Sequence, residues 1–80
     1  MAASKATIRR WFLHGINNGN SYMIIFNDRF TGDDYPMYTN STELTRQIKE
    51  SPADMQDIME IYDLCEDMET QLAQDFTMAI

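Results

Sequence analysis

Tyr22-Met23-Ile24-Ile25-Phe26-Asn27-Asp28-Arg29-Phe30-Thr31-Gly32-Asp33-Asp34-Tyr35-Pro36-Met37-Tyr38 is the stretch that decides the fold. Tyr22 to Phe26 are apolar, with β-branched and aromatic members, and turn-forming residues flank them, which is the composition of a strand. Both faces of that strand are apolar. Thr31 to Asp34 are turn residues, and Tyr35 to Thr39 form a second, shorter strand, which Pro36 confines to an edge or a strand start. The two make a hairpin with its tip near Thr31-Gly32-Asp33. A lone hairpin is barely stable in water, and a strand apolar on both faces needs cover from two sides. Helices supply one side; a partner subunit, or strand pairing across a dimer, is expected to supply the other.

Outward from the hairpin the periodicity becomes helical. Ile8, Trp11, Phe12, Gly15 and Ile16 recur on one helical face, and Asn18-Gly19 provides a left-handed stop. Gly15 on that face implies close backbone packing. After the hairpin, Asn40 and Glu43 read as a capping box for a short helix carrying Leu44 and Ile48 on one side. A longer helix is expected next, capped by Ser51, with Pro52 in its first position and Asp54 near its start, running to about Ala73. Its inward stripe is Met55, Ile58, Met59, Tyr62, Cys65 and Leu72. Gln56, Glu60, Asp63, Asp67, Gln71 and Gln74 lie opposite. The expected fold is a single α+β domain over residues 1–80, of order α-β-β-α-α, completed by self-association.

With 80 residues the chain is one domain, too small for a deep enclosed pocket. Its formal charge of −7 disfavours neutralisation of nucleic-acid phosphates or of an anionic membrane surface. The charge is polarised: residues 1–49 hold six basic and four acidic groups, and residues 50–80 hold nine acidic groups and no basic one. No apolar run approaches the roughly 20 residues that cross a bilayer, and no signal-peptide pattern is present, so a cytoplasmic setting is expected. The single cysteine, Cys65, has no thiol with which to pair.

Enzymatic chemistry finds no footing in the residue set. A zinc site needs several His or Cys ligands, and nucleophilic catalysis needs an activated nucleophile; His14 and Cys65 read as structural, and no cofactor or metal is expected. Asp28, Asp33 and Asp34 flank the hairpin tip, where Asp favours turns, and with Tyr35 they are candidates for a partner-binding surface. Glu60, Asp63 and Asp67 form an acidic line at i, i+3, i+7 on the expected last helix, suited to a basic groove on another protein. An alternative gathers Arg9, Arg10, Arg29 and Tyr38 into a nucleotide pocket at a subunit interface, with guanidinium groups on phosphate and aromatic rings on a base.

The hairpin motif Asp28-x-Phe30 followed by Asp34-Tyr35-Pro36-x-Tyr38 resembles one found in a family of small, mostly uncharacterised phage and prophage proteins. Trp11-Phe12 and Gly15 before it and Met59 to Leu64 after it extend the resemblance over most of the chain. Thr31 departs from it, the position being acidic in relatives. The resemblance implies a viral accessory origin and supplies no reaction, cofactor or catalytic residue. The leading expectation is a counter-defence inhibitor, such as an anti-CRISPR protein, that binds a host defence protein stoichiometrically. The alternatives are a sponge for a small nucleotide immune signal and a structural or assembly accessory protein.

Overall fold

The expected hairpin is the centre of the molecule. A computed structural model of the chain describes residues 3–51, 56–74 and 77–80, and the element order is α1 (Lys5–Asn17), β1 (Tyr22–Asp28), β2 (Asp34–Thr39), α2 (Thr42–Glu50), β3 (Gln56–Asp63) and α3 (Met68–Leu72). The fold class is α+β, built on an antiparallel sheet of strand order β2-β1-β3. β1 pairs β2 from Tyr22↔Thr39 to Asn27↔Asp34. Asp28 N–H donates to Asp33 O at 2.9 Å. Antiparallel alternation then puts Pro36, opposite Ile25, where its nitrogen faces away from β1. The missing N–H therefore leaves the ladder intact, and β2 lies at the edge as its proline requires.

The long helix expected from Ser51 to Ala73 is not formed, and a third strand stands in its place. Its expected start at Pro52, Asp54 and Met55 lies outside the described residues. β3 pairs β1 on the side opposite β2, from Tyr22↔Asp63 to Asp28↔Gln56. The physical cause is non-local: a buried central strand must hydrogen-bond along both edges, and β2 can satisfy only one of them. The register steps between Ile25↔Glu60 and Phe26↔Ile58, which makes Met59 the extra residue of a β-bulge. That bulge puts Ile58 and Glu60, two residues apart, on opposite faces of the sheet, with Ile58 packed in one core and Met59 in the other. Helical character returns only in α3, where Asp67 is the cap and not a mid-helix residue.

Two apolar layers sandwich the sheet. On one face Met23, Ile25 and Tyr62 meet Ile8 and Phe12 of α1 and Leu72 of α3; on the other Ile24, Phe26 and Ile61 meet Ile48 of α2 with Tyr35 and Met37. The second face of β1, which pointed to another copy of the chain, is thus covered from within. α1 buries Ile8, Phe12 and Gly15, while Trp11 is partly buried and Ile16, expected on the inward stripe, is 44% exposed. The close approach expected at Gly15 is present: a Cβ there would stand 2.7 Å from Leu64 Cδ1 and 2.8 Å from the Tyr38 ring. Asn18-Gly19 ends the helix as expected, with Gly19 at φ 74° and Asn20 N–H donating to Gly15 O.

α2 starts one residue later than its expected box, since Ser41 and not Asn40 is the cap, its hydroxyl accepting from Leu44 N–H at 3.0 Å. That shift turns Leu44 outward and buries Thr45, whose hydroxyl donates to Ser41 O at 2.9 Å. Residues 77–80 return along the free edge of β3. Ile61 N–H donates to Thr77 O at 2.7 Å and Ala79 N–H to Ile61 O at 2.9 Å, a short parallel bridge. Among the described residues no helix is long and apolar enough to cross a membrane.

Candidate functional site

The hairpin end is a loop tied at several points, and most of the ties originate in its own Asx residues. Asp28 Oδ1 accepts from Phe30 N–H at 2.8 Å, and Asp28 O accepts from Gly32 N–H at 2.7 Å, with Gly32 at φ 75°. Such Asx turns are what short acceptor side chains do beside a tight bend. Asn27 Nδ2 donates both to Gly32 O at 3.0 Å and to Asp34 Oδ1 at 2.9 Å, lacing the two strands together below the tip. Asp34 Oδ2 accepts from Ala3 N–H at 2.9 Å, which ties the loop base to the chain entering α1. Thr31 Oγ1 accepts from Asp33 N–H at 3.2 Å.

One further clamp joins the tip to β3. Arg29 reaches Asp57 through both carboxylate oxygens, Nη2 to Oδ1 at 2.6 Å and Nε to Oδ2 at 3.1 Å. Those hydrogen bonds hold the Asp57 carboxyl below its ordinary 3.8. A lowered acid contributes stability above its unfolded value and loses it as pH falls through the folded value. Protection of the Arg29 and Phe30 amides, taken relative to the unfolded chain at the same pH, is accordingly expected to hold from neutrality down to about 3.8 and to fall in stronger acid, which NMR of the tip amides checks. Arg29→Gln is expected to remove this step.

Within this frame the side chain of Phe30 stands out of the protein, 82% exposed. Sequence reasoning placed Asp28, Asp33, Asp34 and Tyr35 at the contact surface and used Phe30 only as part of the motif. The structure assigns Asp28 and Asp34 to holding the loop together. Tyr35 stacks on Phe26 at 5.6 Å between ring centroids, on the α2 side of the sheet. The signal that marks Phe30 is an aromatic residue set among Asp, Arg, Thr and Gly, with no apolar neighbour in the turn to pack against.

The acidic line of the expected helix does not exist as one surface. Glu60 sits on β3 opposite Ile25, is buried at 9% exposure, and accepts from Thr77 N–H through Oε2 at 3.3 Å. Tyr62, two residues on and on the same face, is fully buried, and burial together with the Glu60 carboxylate pushes its phenol up. Asp63 ends β3, with Oδ1 accepting from Cys65 N–H at 2.9 Å. Asp67 caps α3, accepting from Thr70 N–H at 2.9 Å, and hydrogen bonds from Thr70 lower its carboxyl. Asp57 and Asp63 stand six residues apart along β3, roughly 20 Å at strand rise. The candidate acidic residues therefore occupy opposite ends of the sheet, Asp28, Asp33 and Asp34 at one and Asp63 and Asp67 at the other.

The arginines of the nucleotide alternative are likewise spread within one chain. Arg9 pairs with Glu69 of α3 at 2.8 Å, Arg10 donates to Thr7 Oγ1 on its own helix, and Arg29 lies at the hairpin tip. Tyr38 donates its hydroxyl to Trp11 O at 2.7 Å beneath α1, and burial pushes its phenol up. Cys65, expected in the core, is exposed, because the residue after Leu64 lies beyond the strand. An open cleft of about 310 Å³ lies at the α3 end, lined by Asp63, Glu66, Gln71, Gln74 and residues 77–79. Its two buried polar side chains are consumed internally: the Gln71 amide donates to Asp63 O and accepts from Asp63 N–H, each at 2.8 Å, and the Thr77 hydroxyl donates to Gln71 O at 2.5 Å. Among the described residues no group of three His, Cys, Asp or Glu side chains is placed to hold a metal ion. No family model, curated protein or solved structure matches the chain, so the reading of this site rests on its geometry alone.

Proposed function

We propose that the chain is a viral counter-defence protein, comparable in kind to an anti-CRISPR protein, that inhibits a host defence protein by stoichiometric binding in the host cytoplasm. The observation that carries this reading is the hairpin end: a loop pinned by its own side chains, acidic at its base, with an exposed aromatic ring at its tip. Pre-ordered loops of this type bind without a large ordering cost. A partner with a basic surface suits both the tip carboxylates and the net charge of −7. The reading needs no cofactor and no catalytic residue. Self-association is not required to cover the sheet, and a second copy enters only as an arrangement of the inhibitor on its target.

The test is expression in a bacterium whose defence system is active, scored by phage plaquing and by co-purification. The expected result is restored plaquing together with a one-to-one complex that survives gel filtration. Tight binding of a nucleotide from a calorimetric panel, with no host protein retained, would replace this reading by the nucleotide sponge. Assembly of the chain into large homogeneous particles, with neither partner, would replace it by a structural role.

A further inference from the structure

We infer that Phe30 is the anchor of this interaction, and that its receptor is an apolar pocket, bordered by Lys or Arg, on the surface of a folded protein. The inference rests on the binding reading above and adds the contact point and the chemistry of the partner. A phenylalanine left in water forgoes the favourable burial available to a large apolar ring. Here the ring is 82% exposed although a stacked pair, Tyr35 on Phe26, lies on the same hairpin. The loop prevents it from folding back. Its N–H is held by Asp28 Oδ1, and the residues on either side are tied down, Arg29 to Asp57 and Thr31 to Asp33 N–H.

The same ties make Phe30 a good anchor. Contact residues that dominate binding are large side chains that enter a pocket and shed their water there, and a loop ordered in advance loses little freedom on docking. Charge selects the receptor. Asp28, Asp33, Asp34 and Asp57 surround the tip, whose basic residue, Arg29, is engaged by Asp57. A phosphate-bearing surface, whether nucleic acid or anionic lipid, would be repelled by this collar, whereas Lys and Arg at a pocket rim would be attracted. The ring enters the pocket and the collar meets the rim.

Photo-crosslinking from position 30 tests this directly, because the adduct itself identifies the partner. The photoreactive analogue p-benzoyl-phenylalanine is placed at position 30, and in separate variants at Leu13 and Leu44, which are apolar and 49% and 41% exposed elsewhere on the surface. Each variant is irradiated in defence-active bacteria, and its fold is checked by its amide spectrum. The expected result is an adduct from position 30, absent from the other two, whose linked peptide is apolar with Lys or Arg beside it. Excess unlabelled protein should suppress that adduct, and Phe30→Ala should need about 30-fold more to do so, the loss typical of a dominant contact residue.

Adducts from Leu13 or Leu44 with none from position 30 would overturn the inference and leave the binding reading standing. Adducts from none of the three, with no complex on co-purification, would overturn both. An adduct of twice 9.3 kDa, meaning a second copy of the chain, or one with nucleic acid or lipid, would overturn the stated receptor. Equal competition by Phe30→Ala would overturn the anchor.

Discussion

Glu60→Lys is expected to lower the stability of the domain by about 3–5 kcal/mol, the range for a buried charge left without compensation. The residue lies on the face of the sheet covered by α1, opposite Ile25, and its carboxylate receives the buried Thr77 N–H. Lysine offers no acceptor, so the substitution both orphans that N–H and buries an ammonium with no carboxylate beside the Tyr62 ring. An 80-residue domain has about 4–12 kcal/mol in total at ordinary values per residue, so the variant should be largely unfolded or close to it. Glu60→Gln retains an acceptor oxygen and should lose far less. Glu66→Lys, on the exposed turn after β3, should stay within about 0.5 kcal/mol of the parent. Urea melts of the three, compared at constant m-value, decide the matter. A folded Glu60→Lys protein would mean that this carboxylate faces solvent.

Phe12→Ala should cost about 3–5 kcal/mol, the ordinary loss for a fully buried phenylalanine. Phe12 is 1% exposed, and its ring meets Tyr62 edge-to-face at 6.1 Å with an interplanar angle of 83°. It is one of the contacts through which α1 meets β3, the strand least evident in the sequence, so its loss loosens the helix against that strand. At about 4–8 °C per kcal/mol for a domain of this size, calorimetry should show a fall of at least 12 °C. Ile16→Ala on the same helix serves as the comparison: at 44% exposure it should shift the midpoint by only a few degrees. Equal shifts would place Ile16 in the core and rotate α1 about its axis.

These variants bear on how far the chain could be read without its structure. The hairpin, the edge position of Pro36, the Asn18-Gly19 stop and the tight packing at Gly15 follow from local chemistry: β-branched content, a missing N–H, a left-handed residue, an absent Cβ. Each depends on neighbours within a few residues, so each was legible. Ile58, Met59, Ile61 and Tyr62 are different. Their spacing suits a helical stripe as well as a bulged strand, and short apolar runs do not separate the two by period. What decided between them was the unpaired edge of β1, which lies more than thirty residues away in sequence. The change of period then carried the site with it: Glu60 went from a supposed outer face to a buried one, and Cys65 moved the other way.

The sequence by itself determined a small acidic α+β domain with a central hairpin, because composition and turn chemistry act over short distances. Only the tertiary structure decided that β1 gains a second strand neighbour, that α2 covers the face otherwise left for another copy, and that the acidic residues separate to the two ends of the sheet. It also decided that Phe30 stands free of the core. That last outcome is set by local turn bonds of Asp28 and Thr31 together with bonds of Asn27 across the hairpin and of Arg29 to β3, the latter two requiring the strands beneath the loop to be in register.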